Sequence, residues 1–178
     1  MRKDIKQVLF EEEQLRNRIR ELGNEISKDY EGKDLLLIGI LKGSVPFMAD
    51  LIKEVTIPCS IDFMAVSSYG NSTKTSGVVR ILKDLDFEIE NKHILIVEDI
   101  IDSGITLRYL TEYLKGRKAA SIEIAALLSK PERRTEEVNA KYIGFNVPDY
   151  FLVGYGLDYS EKYRNLPYIG ILKEEVYR

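Results

Sequence analysis

Apolar residues recur along this chain with two different periods, and the periods alternate. Between 11 and 29, Leu15, Ile19, Leu22 and Ile26 fall at spacings of four, three and four, the single apolar stripe of an amphipathic helix. The glutamates at its start suit the positive end of the helix dipole, and Gly32 lies just past its end. Asp34 to Leu41 is dominated by an apolar run and predicts a buried strand. Lys42, Gly43 and Ser44 lead into a second helix, with Pro46 near its start and Phe47, Leu51 and Ile52 directed inward. Ser60 to Ser67 predicts another strand, carrying Ile61, Phe63 and Ala65 on one face.

Tyr69 to Gly77 (YGNSTKTSG) is polar and rich in Gly, Ser and Thr, and strand character resumes from Val78 to Leu82. A polar span between two strands predicts a long hairpin tip or a mobile lid, here 68–78. His93 to Val97 (HILIV) is a buried strand that runs into Glu98 and Asp99. Thr106 to Leu114 predicts a helix with Leu107, Leu110 and Leu114 on one face. Ser121 to Leu128 is a strand, followed by shorter ones at Tyr142 to Val147 and Phe151 to Gly154. Strand and helix alternating in this way predict an α/β fold with a largely parallel central sheet flanked by helices.

Composition narrows the classes without naming a chemistry. At 178 residues, with 44% hydrophobic and 31% charged, the sequence suits a single soluble domain over 1–178. A net charge of -3 gives no bulk attraction to nucleic acid, so no nucleic-acid partner is expected. The longest apolar run, about seven residues around Leu35 to Leu41, is far short of a membrane span. The first residues, MRKDIKQVLFEEEQ, lack the apolar stretch of a signal peptide, which makes a cytoplasmic location the expectation. One cysteine, Cys59, excludes an intramolecular disulfide, and one histidine, His93, leaves acid–base work to carboxylates or lysines.

The richest segment is the string ILIVEDIIDSGITL, Ile94 to Leu107. A buried strand ends at Glu98 and Asp99, and Asp102, Ser103, Gly104, Ile105 and Thr106 then open a helix. In open α/β sheets ligands bind at the carboxyl ends of strands. A Ser-Gly-x-Thr turn there can aim backbone N–H groups and two hydroxyls at a phosphate, with the helix N-terminus adding partial positive charge. Three carboxylates beside a phosphate would repel it unless something compensates. They can bind sugar hydroxyls, help hold a hydrated Mg²⁺, or stabilise a cationic transition state. The plainer reading is an acidic turn before a capped helix, with Asp102 or Ser103 as N-cap. The GxxxxGK[ST] loop of the nucleotide triphosphatases is absent.

The whole string resembles the phosphoribosyl-pyrophosphate signature of the type I phosphoribosyltransferases. Over nearly its full length the chain is similar to their bacterial hypoxanthine (hypoxanthine-guanine) members. That resemblance implies a small hood, built from the N- and C-terminal segments and a flexible loop, above the parallel sheet. It implies transfer of the 5-phosphoribosyl group from phosphoribosyl pyrophosphate to hypoxanthine or guanine, giving IMP or GMP plus pyrophosphate, with Mg²⁺ as cofactor. It further implies a homodimer or homotetramer.

Carried over residue by residue, the resemblance places Glu98 and Asp99 near the ribose hydroxyls and their Mg²⁺. It places Asp102, Ser103, Gly104, Ile105 and Thr106 around the 5′-phosphate, with Asp102 also a candidate general base at purine N7. Lys130, in LLSKPERR, matches the donor to the purine O6, a role that would reject a 6-amino base. Phe151 matches the aromatic that stacks on the purine, and Leu152 a position whose backbone meets the base edge. Asp158 matches a ligand of a second Mg²⁺, and Arg164 a contact to pyrophosphate. Leu41, Lys42 and Gly43 resemble the pyrophosphate loop, in which the peptide before the lysine can be cis. Ser68 and Tyr69 resemble the Ser-Tyr pair of the closing loop. A solvated face accounts for the arginines beside Lys130, Arg133 and Arg134. Two other functions fit the same motif, a xanthine-preferring transferase and a non-catalytic regulator that senses phosphoribosyl pyrophosphate.

Overall fold

In the computed structural model, which describes residues 1–68 and 79–178, the two apolar periods become two layers of helix around a sheet. The strands are β1 (Ile5–Phe10), β2 (Leu35–Leu41), β3 (Cys59–Ser68), β4 (Val79–Lys83), β5 (His93–Ile101), β6 (Ser121–Ser129), β7 (Tyr142–Asn146), β8 (Leu152–Val153) and β9 (Ile169–Leu172). The helices are α1 (Glu12–Asp29), α2 (Val45–Glu54), α3 (Ile105–Lys115) and the short α4 (Glu174–Tyr177). The main sheet has the order β4-β3-β2-β5-β6-β7, parallel except for β4.

Alternate side chains of the central strands feed two separate cores. Leu35 and Leu37 of β2, Leu95 and Val97 of β5, and Leu127 of β6 pack with the stripes of α1 and α2. Their neighbours Leu36, Ile38, Ile94, Ile96 and Ala126 pack with Leu107, Leu110 and Leu114 of α3. Burial on both faces is why these strands read as continuous apolar runs rather than alternating ones. In β3 the expected apolar face is the less buried one. Ile61 is exposed, whereas Met64 is fully buried in the α3 core. Helix α2 packs over β2 and β5, and on that side Cys59 and Phe63 of β3 meet the α1–α2 core only as partly buried residues.

Helices α1 and α2 meet closely at Gly23, where an added Cβ would lie 2.4 Å from Cβ of Glu54. One turn on, the buried Ser27 hydroxyl donates to the Gly23 carbonyl (2.7 Å) and accepts the Thr56 N–H (2.9 Å). Ser27→Ala leaves that amide without its partner, so a loss of about 1–3 kcal/mol in unfolding free energy is expected on chemical denaturation.

A second, three-stranded antiparallel sheet, β1-β9-β8, lies outside the sequence reading apart from its β8 strand. It joins the chain's first and last segments through pairs such as Val8 with Gly170 and Leu152 with Ile171. Its own small core holds Val153, Tyr163, Leu166, Tyr168 and Leu172. These terminal strands are the hood expected above the main sheet. Of the loop expected to complete it, 68–78, residues 69–78 lie outside the described residues.

Candidate active site

Strand order reverses direction between β2 and β5. From β2 the chain steps outward to β3, while β5, β6 and β7 build the other side. The connections on the two sides therefore diverge at the carboxyl ends of β2 and β5, which leaves a crevice there. A cavity of about 320 Å³ fills that position. Leu41, Lys42 and Gly43 line it from the end of β2, Glu98 to Gly104 and Thr106 from the end of β5, and Arg164 from the hood side. The sequence candidates for a phosphorylated sugar are brought together here.

The two loops touch. The Leu41–Lys42 peptide is cis. A Cβ on Gly43 would lie 1.8 Å from Asp99 Oδ2, and a Cβ on Gly156 would lie 2.0 Å from the Gly43 carbonyl. Gly156 also has φ of 97°, so only glycine fits there on both counts. These contacts hold the β2 loop between the acidic end of β5 and the hood.

Glu98 and Asp99 are half-buried neighbours on the cleft floor. The Asp99 amide donates to Glu98 Oε1 (3.1 Å), and the Ile100 amide donates to Asp99 Oδ1 (2.8 Å). Desolvation, reinforced by the charge of Asp99, pushes the Glu98 carboxyl well above the usual range. Desolvation also raises Asp99, against hydrogen bonds from Glu98 and the Ile100 amide and the charge of Arg164. Two adjacent carboxylates that resist sharing a desolvated floor are a donor set suited to a hard divalent cation. Among the described residues no group of three or more His, Cys, Asp or Glu side chains forms a metal cage. Asp158 is engaged elsewhere, with Oδ1 at 3.1 Å from Arg164 Nη1 and Oδ2 accepting the Glu161 amide at 2.9 Å. The residues fit Mg²⁺ only as partial ligands, with substrate oxygens and water completing each shell, which is how this ion is commonly held.

Helix α3 opens on Gly104, with φ of 89° and ψ of -6°. A glycine N-cap has no side chain to satisfy the first-turn N–H groups; the Ile105 amide makes a long bond to the Ser103 hydroxyl (3.4 Å), and the amides of Thr106 and Leu107 remain available to an anion. The loop is clamped from behind, because the Ser103 carbonyl accepts the amides of Thr135 (3.0 Å) and Glu136 (3.1 Å). Ser103, Gly104 and Thr106 line the cavity, whereas Ile105 lies with Arg108, Tyr109 and Glu136 on the outer side of α3. Ile105 can thus contribute its backbone only.

The purine candidates form a separate wall. Lys130 is buried, and its Nζ donates to the Tyr150 carbonyl at 2.7 Å, with Asp149 Oδ1 at 3.5 Å. The Phe151 ring stacks on Tyr177 (centroids 4.7 Å apart) and meets Tyr159 edge-on (5.6 Å). Leu152 is buried in β8, where it pairs with Ile171. Neither Lys130 nor Phe151 lines the β2–β5 cavity.

The two walls are linked by a residue that the sequence reading assigned to a solvated face. Arg133 Nε lies 2.6 Å from Asp102 Oδ1, and its Nη1 lies 3.5 Å from Asp149 Oδ1. The ions Asp102, Arg133, Asp149 and Lys130 thus alternate in sign across the gap. Arg134 is not solvated either, since it donates to the Asp102 carbonyl, the Val138 carbonyl and the Ser129 hydroxyl. The reason is the short turn from Pro131 to Arg133, which folds this segment back onto the Ser103 loop. A sequence shows that arginines follow a proline, but not where the turn aims them. Ser68 ends β3, with its Cα opposite Val79, and Tyr69 falls outside the described residues.

Comparison with known proteins agrees with this geometry. A family model described as a phosphoribosyl transferase domain matches residues 9–160. The chain is 56% identical over 177 residues to a hypoxanthine-guanine phosphoribosyltransferase of Bacillus subtilis, covering 99% of this chain and 98% of the relative. It is 55% identical to the bifunctional protein TilS/HprT of Listeria monocytogenes, of whose length it spans only 27%. A solved hypoxanthine phosphoribosyltransferase from Staphylococcus aureus superimposes with a TM-score of 0.97 at 56% identity, covering 100% of this chain and 97% of that one.

Proposed function

Since the chain belongs to the phosphoribosyl transferase family, we propose that it transfers the 5-phosphoribosyl group from phosphoribosyl pyrophosphate to hypoxanthine or guanine. The observation that carries this reading is the juxtaposition at the β2–β5 crevice. An adjacent carboxylate pair, a glycine-opened helix and the Lys42–Gly43 loop share one cavity with Arg164. A sugar bearing a phosphate at one end and a diphosphate at the other matches that alternation of acidic, amide and cationic groups.

In this reading the first-turn amides of α3 and the hydroxyls of Ser103 and Thr106 bind the 5′-phosphate. Glu98 and Asp99 bind the ribose hydroxyls, and Lys42, Gly43 and Arg164 face the diphosphate. Glu98, Asp99 and Asp158 would each give oxygens to Mg²⁺, which would supply positive charge to offset that of the leaving diphosphate. N9 of the purine forms the new bond to the anomeric carbon as the carbon–oxygen bond to pyrophosphate breaks. The carbon acquires oxocarbenium character, and carboxylates beneath it favour that charge. Asp102 accepts the proton lost from N7, while Arg133 Nε faces its other oxygen, Oδ1. Lys130 turns from the Tyr150 carbonyl toward the 6-oxo group, and Phe151 offers the ring face not taken by Tyr177.

The test is nucleotide formation from phosphoribosyl pyrophosphate and each of hypoxanthine, guanine, xanthine and adenine. Turnover of the first two, dependent on added Mg²⁺ and stopped by chelation, is the expected result. Preference for xanthine would redirect the substrate, and no turnover with any base would sink the reading. Among the described residues no helix is long and apolar enough to cross a membrane. A phosphorylated metabolite as substrate supports a cytoplasmic location for the proposed enzyme, and a homodimer or homotetramer is the assembly expected on light scattering.

A further inference from the structure

The two cations assigned to the diphosphate, Lys42 and Arg164, are joined by one carboxylate. Lys42 Nζ donates to Glu161 Oε2 at 2.8 Å, and Arg164 Nη2 donates to Glu161 Oε1 at 3.1 Å. Each carboxylate oxygen takes one cation, so Glu161 spans the pair as a bound diphosphate would. Lys42 arrives from the end of β2, 119 positions away in sequence, and Arg164 from the hood. Lys42 is therefore not paired with Glu161 through nearness in sequence, whereas Arg164 lies three positions further along the same turn.

Glu161 is held in this pose locally. Its own N–H donates to Asp158 Oδ2 at 2.9 Å. Its backbone is left-handed, with φ of 62°, as is that of Ser160, with φ of 49°. Non-glycine residues seldom take that conformation, and a tight turn is where they do. The side chains of Glu161 and Lys42 are 63% and 68% exposed. Exposed ion pairs add little to folding stability. Fold stability thus gives no reason for a bridge at this point, whereas the ligand assigned to the same two cations does.

We infer that Glu161 is an internal competitor for the diphosphate subsite, occupying Lys42 and Arg164 until a diphosphate displaces it. This rests on the transferase reading above. Entry of phosphoribosyl pyrophosphate exchanges one anion for another across the same cations. Departure of pyrophosphate is assisted by the carboxylate that returns. Glu161 acts through Lys42 and Arg164 and touches no reacting atom, so it is a positioning residue. A nucleoside monophosphate has no diphosphate and is indifferent to it.

The test compares Glu161→Gln with the unmodified chain at fixed ionic strength, with melting temperatures checked first. Three constants are read: KM for phosphoribosyl pyrophosphate, Ki for pyrophosphate and Ki for IMP. The first two are expected to fall by about 2–5-fold, the scale of lost competition from exposed ion pairs, while the third stays put. Unchanged or raised diphosphate constants would overturn the inference. So would an equal fall in all three, which marks a general field effect. Direct calorimetric titration with pyrophosphate and Mg²⁺ gives the same comparison without turnover. If the unmodified chain makes no nucleotide from any base, the transferase reading fails instead, and the titration still decides the role of Glu161.

Discussion

Replacing Asp102 with alanine is expected to lower kcat by ~10²–10⁴-fold, the usual contribution of a positioned proton acceptor. The KM for phosphoribosyl pyrophosphate should change far less. The reason is that Asp102 is fixed by its backbone as well as by its carboxylate. Arg134 donates to the Asp102 carbonyl at 3.2 Å, and the next carbonyl, of Ser103, is held by two amides from 135 and 136. Alanine keeps both sets of bonds, so the phosphate loop keeps its shape. What disappears is the group proposed to take the purine proton and the partner of Arg133 Nε. Arg133 still faces Asp149 at 3.5 Å, so the charge chain toward Lys130 is shortened rather than broken. Asp102→Asn separates the two losses, because the amide preserves shape but cannot act as a base at neutral pH. Both variants should show depressed single-turnover rates at saturating substrates and an unshifted melting temperature. Near-normal turnover in either folded variant would remove Asp102 from proton transfer.

The sheet and its strand ends were legible because each relevant segment satisfies a local rule. HILIV is apolar at successive positions because β5 is central and covered on both faces, and Glu98 marks where the cover ends. Gly104 is readable as a turn residue because α3 does begin there in a left-handed conformation. The hood was harder to read. Ile5–Phe10 pairs with Ile169–Leu172 across nearly the whole chain, and neither segment alternates cleanly enough to announce a strand. In β3 the apolar face was misread because Asp62, a charged residue, is buried on the face that carries Met64. Its carboxylate accepts the Asp86 amide at 2.8 Å, with Lys83 Nζ at 3.5 Å, and such partners come from later sequence. The same limit hid Arg133, Asp149 and Glu161. Each is a charged residue in a loop, and its role comes from partners many positions away. A pattern of spacing carries no information about that distance.

Lys130→Ala is expected to raise the KM for hypoxanthine and guanine by ~10–150-fold, the range for losing one hydrogen bond from a charged donor. Adenine should cease to be strongly excluded relative to them. Both effects follow from burial. Lys130 is only 8% exposed, so its ammonium group must find acceptors within the protein or on the ligand. Without a base it uses the Tyr150 carbonyl at 2.7 Å and the nearby Asp149 carboxylate. A 6-oxo purine offers an acceptor in exchange, whereas a 6-amino group offers donors and would leave the ammonium unpaired in a desolvated wall. The same contacts permit a rival role, in which Lys130 merely tethers Tyr150 and so positions Phe151. Lys130→Met distinguishes the two, since it fills the buried volume but can donate to neither acceptor. A structural tether alone predicts that both variants weaken every base alike and keep the preference for a 6-oxo group. A donor to O6 predicts that both variants lose the preference itself, with the KM for phosphoribosyl pyrophosphate unmoved. The ratio of kcat/KM for hypoxanthine to that for adenine is therefore the quantity to measure. Its retention in the alanine and methionine variants would take Lys130 out of base recognition and leave it as the anchor of the Tyr150 turn.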